Sequence, residues 1–125
     1  MAAHPITFFL HLQNTIKLYH WMTTSHARHV AADKLFEGLV EIGDTFIEAY
    51  IGKYSRPKVL STKDLTAAIQ QHTDQTILEL FDHAEKYLQK DIFKYINEKK
   101  DLDLMNIRDD VLTMLSQSRY LFTLK

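Results

Sequence analysis

From His26 to Tyr54 the chain runs for 29 residues without a proline, between a serine suited to cap a helix at Ser25 and the proline at Pro57. Leu35, Phe36, Leu39, Ile42, Phe46 and Tyr50 recur along it at helical spacing, so the stretch reads as one long amphipathic helix with a core-facing side. A single element of that length in a chain of 125 residues leaves room for little except further helices packed along it. The composition agrees. Hydrophobic residues make up 46%, and three glycines and two prolines are too few for a strand-and-turn protein. The expectation is an all-α fold in one domain spanning residues 1–125.

The opposite face of this helix carries the chemistry. His29, Asp33, Asp44 and Glu48 fall within an arc of about 100°, at 100° per residue. They form two pairs, His29 with Asp33 and Asp44 with Glu48, each spaced one turn apart so that both side chains can reach one ion. Asp33 and Asp44 lie eleven residues apart, about 16 Å along the axis, so one chain cannot bring both pairs to the same ion. If both serve one site, the second pair comes from another copy of the helix. Val40, Ile47 and Ile51 border the stripe with apolar surface, which points to a subunit contact there.

Pro5 opens an earlier helix that runs to Met22, with Ile6, Phe9, Leu10, Ile16, Tyr19 and Met22 at helical spacing. The turn Thr23-Thr24-Ser25 is short enough to make the two helices antiparallel neighbours. It sets His20, in the last turn of the first helix, beside His29, with Trp21 adjoining as a large aromatic able to shield a redox centre. Residues 60–71 are helical in pattern but polar. A third long helix is expected from Ile77 to Ile96, a turn over Asn97–Asp101, and a fourth from about Asp103 with Leu104, Ile107, Val111, Leu115 and Leu121 or Phe122 facing inward. Pattern alone slightly favours a simple up-down-up-down bundle. A crossover is the other course, since residues 55–72 could cover roughly 35 Å as a short extended piece plus three helical turns.

Several classes are excluded. With a formal net charge of −1 and no basic run longer than two residues, nothing supplies the electrostatic footprint of a DNA-binding or anionic-membrane protein. No apolar run reaches the length of a membrane span and no signal-type N-terminus is present, so the expected location is the cytoplasm. Without cysteine, any metal must sit on nitrogen and oxygen ligands, a set suited to non-haem iron or another first-row metal. The first helix lacks Asp and Glu altogether, which rules out the intrasubunit di-iron centre of true ferritins.

These residues resemble the Dps miniferritins of the ferritin-like superfamily. The family pattern is a His-Trp closing the first helix, then His, three residues, Asp, ten residues, Asp, three residues, Glu. His20-Trp21 matches the opening, and His29, Asp33, Asp44 and Glu48 reproduce the rest; DTFIE resembles the family's second half-site. The resemblance implies a ferritin-like four-helix bundle with a short crossover helix between the second and third long helices. It implies a di-iron ferroxidase site made by His20, His29 and Asp33 of one subunit with Asp44 and Glu48 of its two-fold partner. His26 is the alternative to His20, and zinc or manganese the alternatives to iron. It further implies Fe(II) oxidation by hydrogen peroxide, iron storage, and a homodimer that builds a higher oligomer, in the family a dodecamer. Two other readings compete. One is a metal-free helical oligomer with a structural or adaptor role; the other is a His-phosphotransfer bundle with His72 or His83 as carrier. His4, His11 and His72 otherwise read as structural, and His83 with Glu79 as an ordinary surface pair.

Overall fold

Proline at the first helical position starts the first helix, α1 (Pro5–Met22), and the Nδ1 of His4 caps it by accepting the Ile6 amide at 3.1 Å. The computed structural model describes residues 3–66 and 69–125, and its regular structure is wholly helical. Ser25 starts α2 (His26–Tyr54), its hydroxyl accepting the Arg28 amide at 3.2 Å. At 29 residues α2 is about 43 Å long and sets the length of the molecule. A one-turn helix, α3 (Thr62–Thr66), follows, then α4 (Ile77–Gln89), a 3-10 turn at Asp91–Lys94, and α5 (Leu102–Leu121). Part of the polar helical pattern expected over residues 60–71 falls on residues 67–68, outside the described residues.

Helix α1 packs on α2 and α4, and α5 packs on the same two, so α2 and α4 face each other only across the diagonal. Leu12, Ile16 and Tyr19 of α1, Leu39 and Phe46 of α2, Phe81 and Leu88 of α4, and Leu104, Val111 and Leu115 of α5 fill the centre, all fully buried. Of the inward face expected for α2, Leu35, Leu39, Phe46 and Tyr50 are buried; Phe36 and Ile42 reach the core edge. Of the two residues expected to close the α5 face, Phe122 is the buried one.

The ends of the elements show how the chain travels. Asp74, just ahead of α4, accepts the Tyr19 and Thr23 hydroxyls at 2.7 and 2.6 Å, and its carbonyl accepts Arg28 Nη1 at 2.9 Å. At the other end, Lys53 and Tyr54 close α2 against Asp101, which precedes α5. Tyr54 and Asp74 therefore lie at opposite ends of the molecule, α4 runs parallel to α2, and every packed pair of long helices is antiparallel. The simple up-down-up-down course that pattern slightly favoured is not the one adopted.

The third long helix is shorter than its apolar pattern. It ends at Gln89, with Lys90 at φ −137°, ψ −62°. The Leu88 carbonyl is taken by Arg108 Nη1 at 3.1 Å instead of by an amide of a continuing helix. Ile92, inside the tighter 3-10 turn, and Ile96, just beyond it, both stay buried, so the apolar pattern persists where the α-helix does not.

A paired-histidine site on the helical hairpin

Ser25 and the three-residue turn fix the register between the end of α1 and the start of α2, and that register brings His20 and His29 face to face. Their rings stack with centroids 3.8 Å apart and planes 19° from parallel. Each ring is tied to the other residue's backbone: His20 Nδ1 lies 2.7 Å from the His29 carbonyl, and His29 Nδ1 lies 2.8 Å from the His20 carbonyl. A carbonyl oxygen can only accept, so both Nδ1 atoms carry protons and donate. In the neutral rings the lone pairs then sit on the two Nε2 atoms, the tautomer a metal-binding histidine needs, held by the kind of backbone bond that orients such ligands.

Asp33, one turn along α2 from His29, stands at the open edge of the pair, its Oδ1 3.9 Å from His20 Nε2. Lys17 reaches the same oxygen at 3.1 Å. The hydrogen bond from that ammonium, with its charge and those of the two imidazoles, holds the Asp33 carboxyl below the usual carboxylate range. The Lys17 ammonium also lies 5.4 Å from the Trp21 ring centre and 4.8 Å from that of Phe36. Trp21 itself is 65% exposed, so in the single chain it lines the rim and does not shield the histidines.

His26 is exposed, its ring centre 6.4 Å from that of His29, while His20 is buried in the pair. Asp44 and Glu48 lie further along α2, both exposed, and neither side chain makes a hydrogen bond or ion pair among the described residues. A shallow groove lined by Ile6, Phe9, Leu10, Val40 and Ile47 opens beside Asp44. Val40 is 41% exposed, and Ile47 and Ile51 are half-buried. Among the described residues no three His, Asp or Glu side chains are arranged to hold a metal ion within one chain.

Two features escaped the sequence reading. Lys17 carries no ligand pattern of its own, although it stands one turn from both His20 and Trp21 and so shares their face. The latch joining Tyr19, Thr23, Arg28 and Asp74 had no local signal, since Asp74 is more than forty residues from its partners. His72 is only 5% exposed and so is not presented as a phosphoryl carrier; His83 is exposed. No helix among the described residues is long and apolar enough to cross a membrane.

No curated protein and no solved structure matches the chain. A family of unknown function (DUF5856) matches residues 20–122, a span that starts at the first histidine of the stacked pair and ends in the buried core of the C-terminal segment, and the chain belongs to that family.

Proposed function

We propose that this chain is a Dps-type miniferritin, a ferritin-like four-helix bundle whose dimer oxidises Fe(II) with hydrogen peroxide and whose larger assembly stores the product. The observation that carries the reading is the reciprocal pair of Nδ1–H bonds, which leaves the lone pairs of both rings on Nε2, that of His20 3.9 Å from the Asp33 carboxylate. Imidazole nitrogen with carboxylate oxygen suits a first-row divalent ion such as iron, with manganese or zinc as competitors, and since the three side chains of one chain do not by themselves form a metal site, the reading needs the partner's ligands. The antiparallel packing and the parallel course of α2 and α4 support the bundle topology. The unpaired Asp44 and Glu48, set beside an apolar groove, supply the ligands that one chain lacks when a second copy is docked there.

In this reading Fe(II) is a substrate. His20, His29 and Asp33 bind it from one subunit, and Asp44 and Glu48 of the partner subunit complete its shell. Two Fe(II) ions give up one electron each, the O–O bond of peroxide breaks, and with two protons the oxygens leave as two waters. Imidazole and carboxylate ligands favour the Fe(III) product, and two adjacent ions let one two-electron oxidant react without releasing a radical.

Lys17 supports a second reading. Its ammonium already neutralises Asp33, as it would in a metal-free helical oligomer where these residues only fasten the hairpin. Iron oxidation separates the two. Fe(II) bound anaerobically and then treated with peroxide should oxidise faster than in a protein-free control, and Asp33→Ala and Glu48→Ala should each remove most of that acceleration. Equal rates with wild type, both variants and the control would refute the ferroxidase assignment.

A further inference from the structure

Three histidines that this site does not use converge where the crossover returns to the start of α4. His11 and His83 line a shallow groove between α1 and α4, and buried His72 is within electrostatic reach of both. His72 Nδ1 shares a hydrogen bond with Thr76 Oγ1 at 3.1 Å, while its buried Nε2 has no hydrogen-bond partner among the described residues. Bonds to α1 dock the segment on either side. Gln70 donates its amide to Thr15 Oγ1 at 3.0 Å, and Asp74 holds the Tyr19 and Thr23 hydroxyls.

A neutral imidazole tolerates this setting and an imidazolium does not. With both ring nitrogens protonated, Thr76 can accept from one only, and the other becomes a buried charged donor without an acceptor. The charged and titratable groups around it are His11 from α1, His83 and Glu79 from α4, and Asp74 from its own segment. The two imidazoles oppose a further charge. Glu79 favours it, but Glu79 is exposed and screened by solvent, and Asp74 is already committed to two hydroxyls.

We propose that residues 69–76 are a strap released by acid, with His72 as the buried plug that senses the proton. Burial, the largest influence, holds His72 below its ordinary value of 6.5, against the weaker pull of Thr76 and Glu79. Docking is therefore fully favoured above about pH 6.5 and weakens as pH falls from there through the lower value of the docked state. Release takes Asp74 away from Tyr19, Thr23 and Arg28, loosening the turn that sets His20 against His29. The strap follows from the fold and does not depend on metal binding.

Hydrogen exchange on the intact protein at pH 7.5 and 5.0, corrected for intrinsic rates, tests this. Amides of residues 69–77 should lose protection by about tenfold or more at pH 5.0 while the core of α2 keeps its own. His72→Phe, which cannot charge, should keep the strap protected at both values, and His83→Gln, which removes an imidazole that repels the charge on His72, should move release to lower pH. Unchanged protection in wild type, or equal loss in His72→Phe, would overturn the proposal. If His72→Phe does not fold, an NMR titration of the wild-type imidazoles decides: a His72 midpoint at or above 6.5 overturns it, and a lower midpoint coinciding with strap exchange supports it.

Discussion

Two glycines on the same helix show how much one Cβ decides. A Cβ at Gly43 would lie 3.1 and 3.3 Å from ring carbons of Phe9, so the absence of a side chain is what lets α1 and α2 approach beneath the groove beside Asp44. Gly52 has nothing within 4 Å. Gly43→Leu should therefore destabilise the fold by about 1–3 kcal/mol through overpacking, whereas Gly52→Ala should stabilise it by about 0.5–1 kcal/mol by restricting the unfolded chain. Urea unfolding of the two variants beside wild type reads both signs. The stacked histidines show the same dependence on position. Their ring tautomers are set by two carbonyls, which no side-chain substitution elsewhere on the helices would replace.

At the scale of elements, carboxylates fasten the joints between helices. Asp101 accepts the Tyr54 hydroxyl, the Asn97 amide at 2.8 Å and the Lys53 ammonium at 3.3 Å, closing α2 against α5. These donors, the Tyr54 hydroxyl foremost, hold its carboxyl below the usual 3.8, and the Thr23 and Tyr19 hydroxyls do the same for Asp74 at the other end. A depressed carboxyl stabilises the fold above about pH 3.8, and that contribution is lost as pH falls through the lower folded-state value. Asp101→Asn should cost about 1 kcal/mol at pH 7, since the buried carboxylate that gathers three exposed donors loses its charge, and should flatten the decline in stability below pH 4. Denaturation midpoints taken between pH 2 and 7 check both effects. Ser25→Ala should cost about 1 kcal/mol in the same assay, because it removes the cap that starts α2 where His29 needs it.

For the whole molecule, sharing of the site between subunits makes the sharpest expectation. If His29 and Asp33 of one chain face Asp44 and Glu48 of a two-fold partner, His29→Ala and Asp44→Ala are each inactive alone. In a mixed dimer one site collects both defects and the other is built from intact halves. Refolding equal amounts together should restore about a quarter of the sites by random pairing, read as recovered iron oxidation. Failure to recover activity, once subunit exchange is confirmed, would rule out an intersubunit site. The same assembly, with a formal net charge of −1 per chain, should give no salt-sensitive DNA shift at physiological ionic strength.

The bounds of α1 and α2 were legible in the sequence, because Pro5, Ser25 and Pro57 act locally and amphipathic spacing repeats every turn. The candidate ligands were legible for the same reason: one-turn spacing on a single helix puts residues on one face whatever the rest of the chain does. That Asp33 and Asp44 cannot share an ion within one chain followed from helical rise alone. The tertiary structure decided what depends on distant neighbours. It took α4 down parallel to α2, because Asp74 finds Tyr19, Thr23 and Arg28 at one end and Asp101 finds Lys53 and Tyr54 at the other. It ended α4 at Gln89, where Arg108 claims a carbonyl, although the apolar pattern ran on to Ile96. It put Lys17 on Asp33 and buried His72, since a charge's partner and a histidine's exposure are set by packing across elements and leave no trace in local spacing.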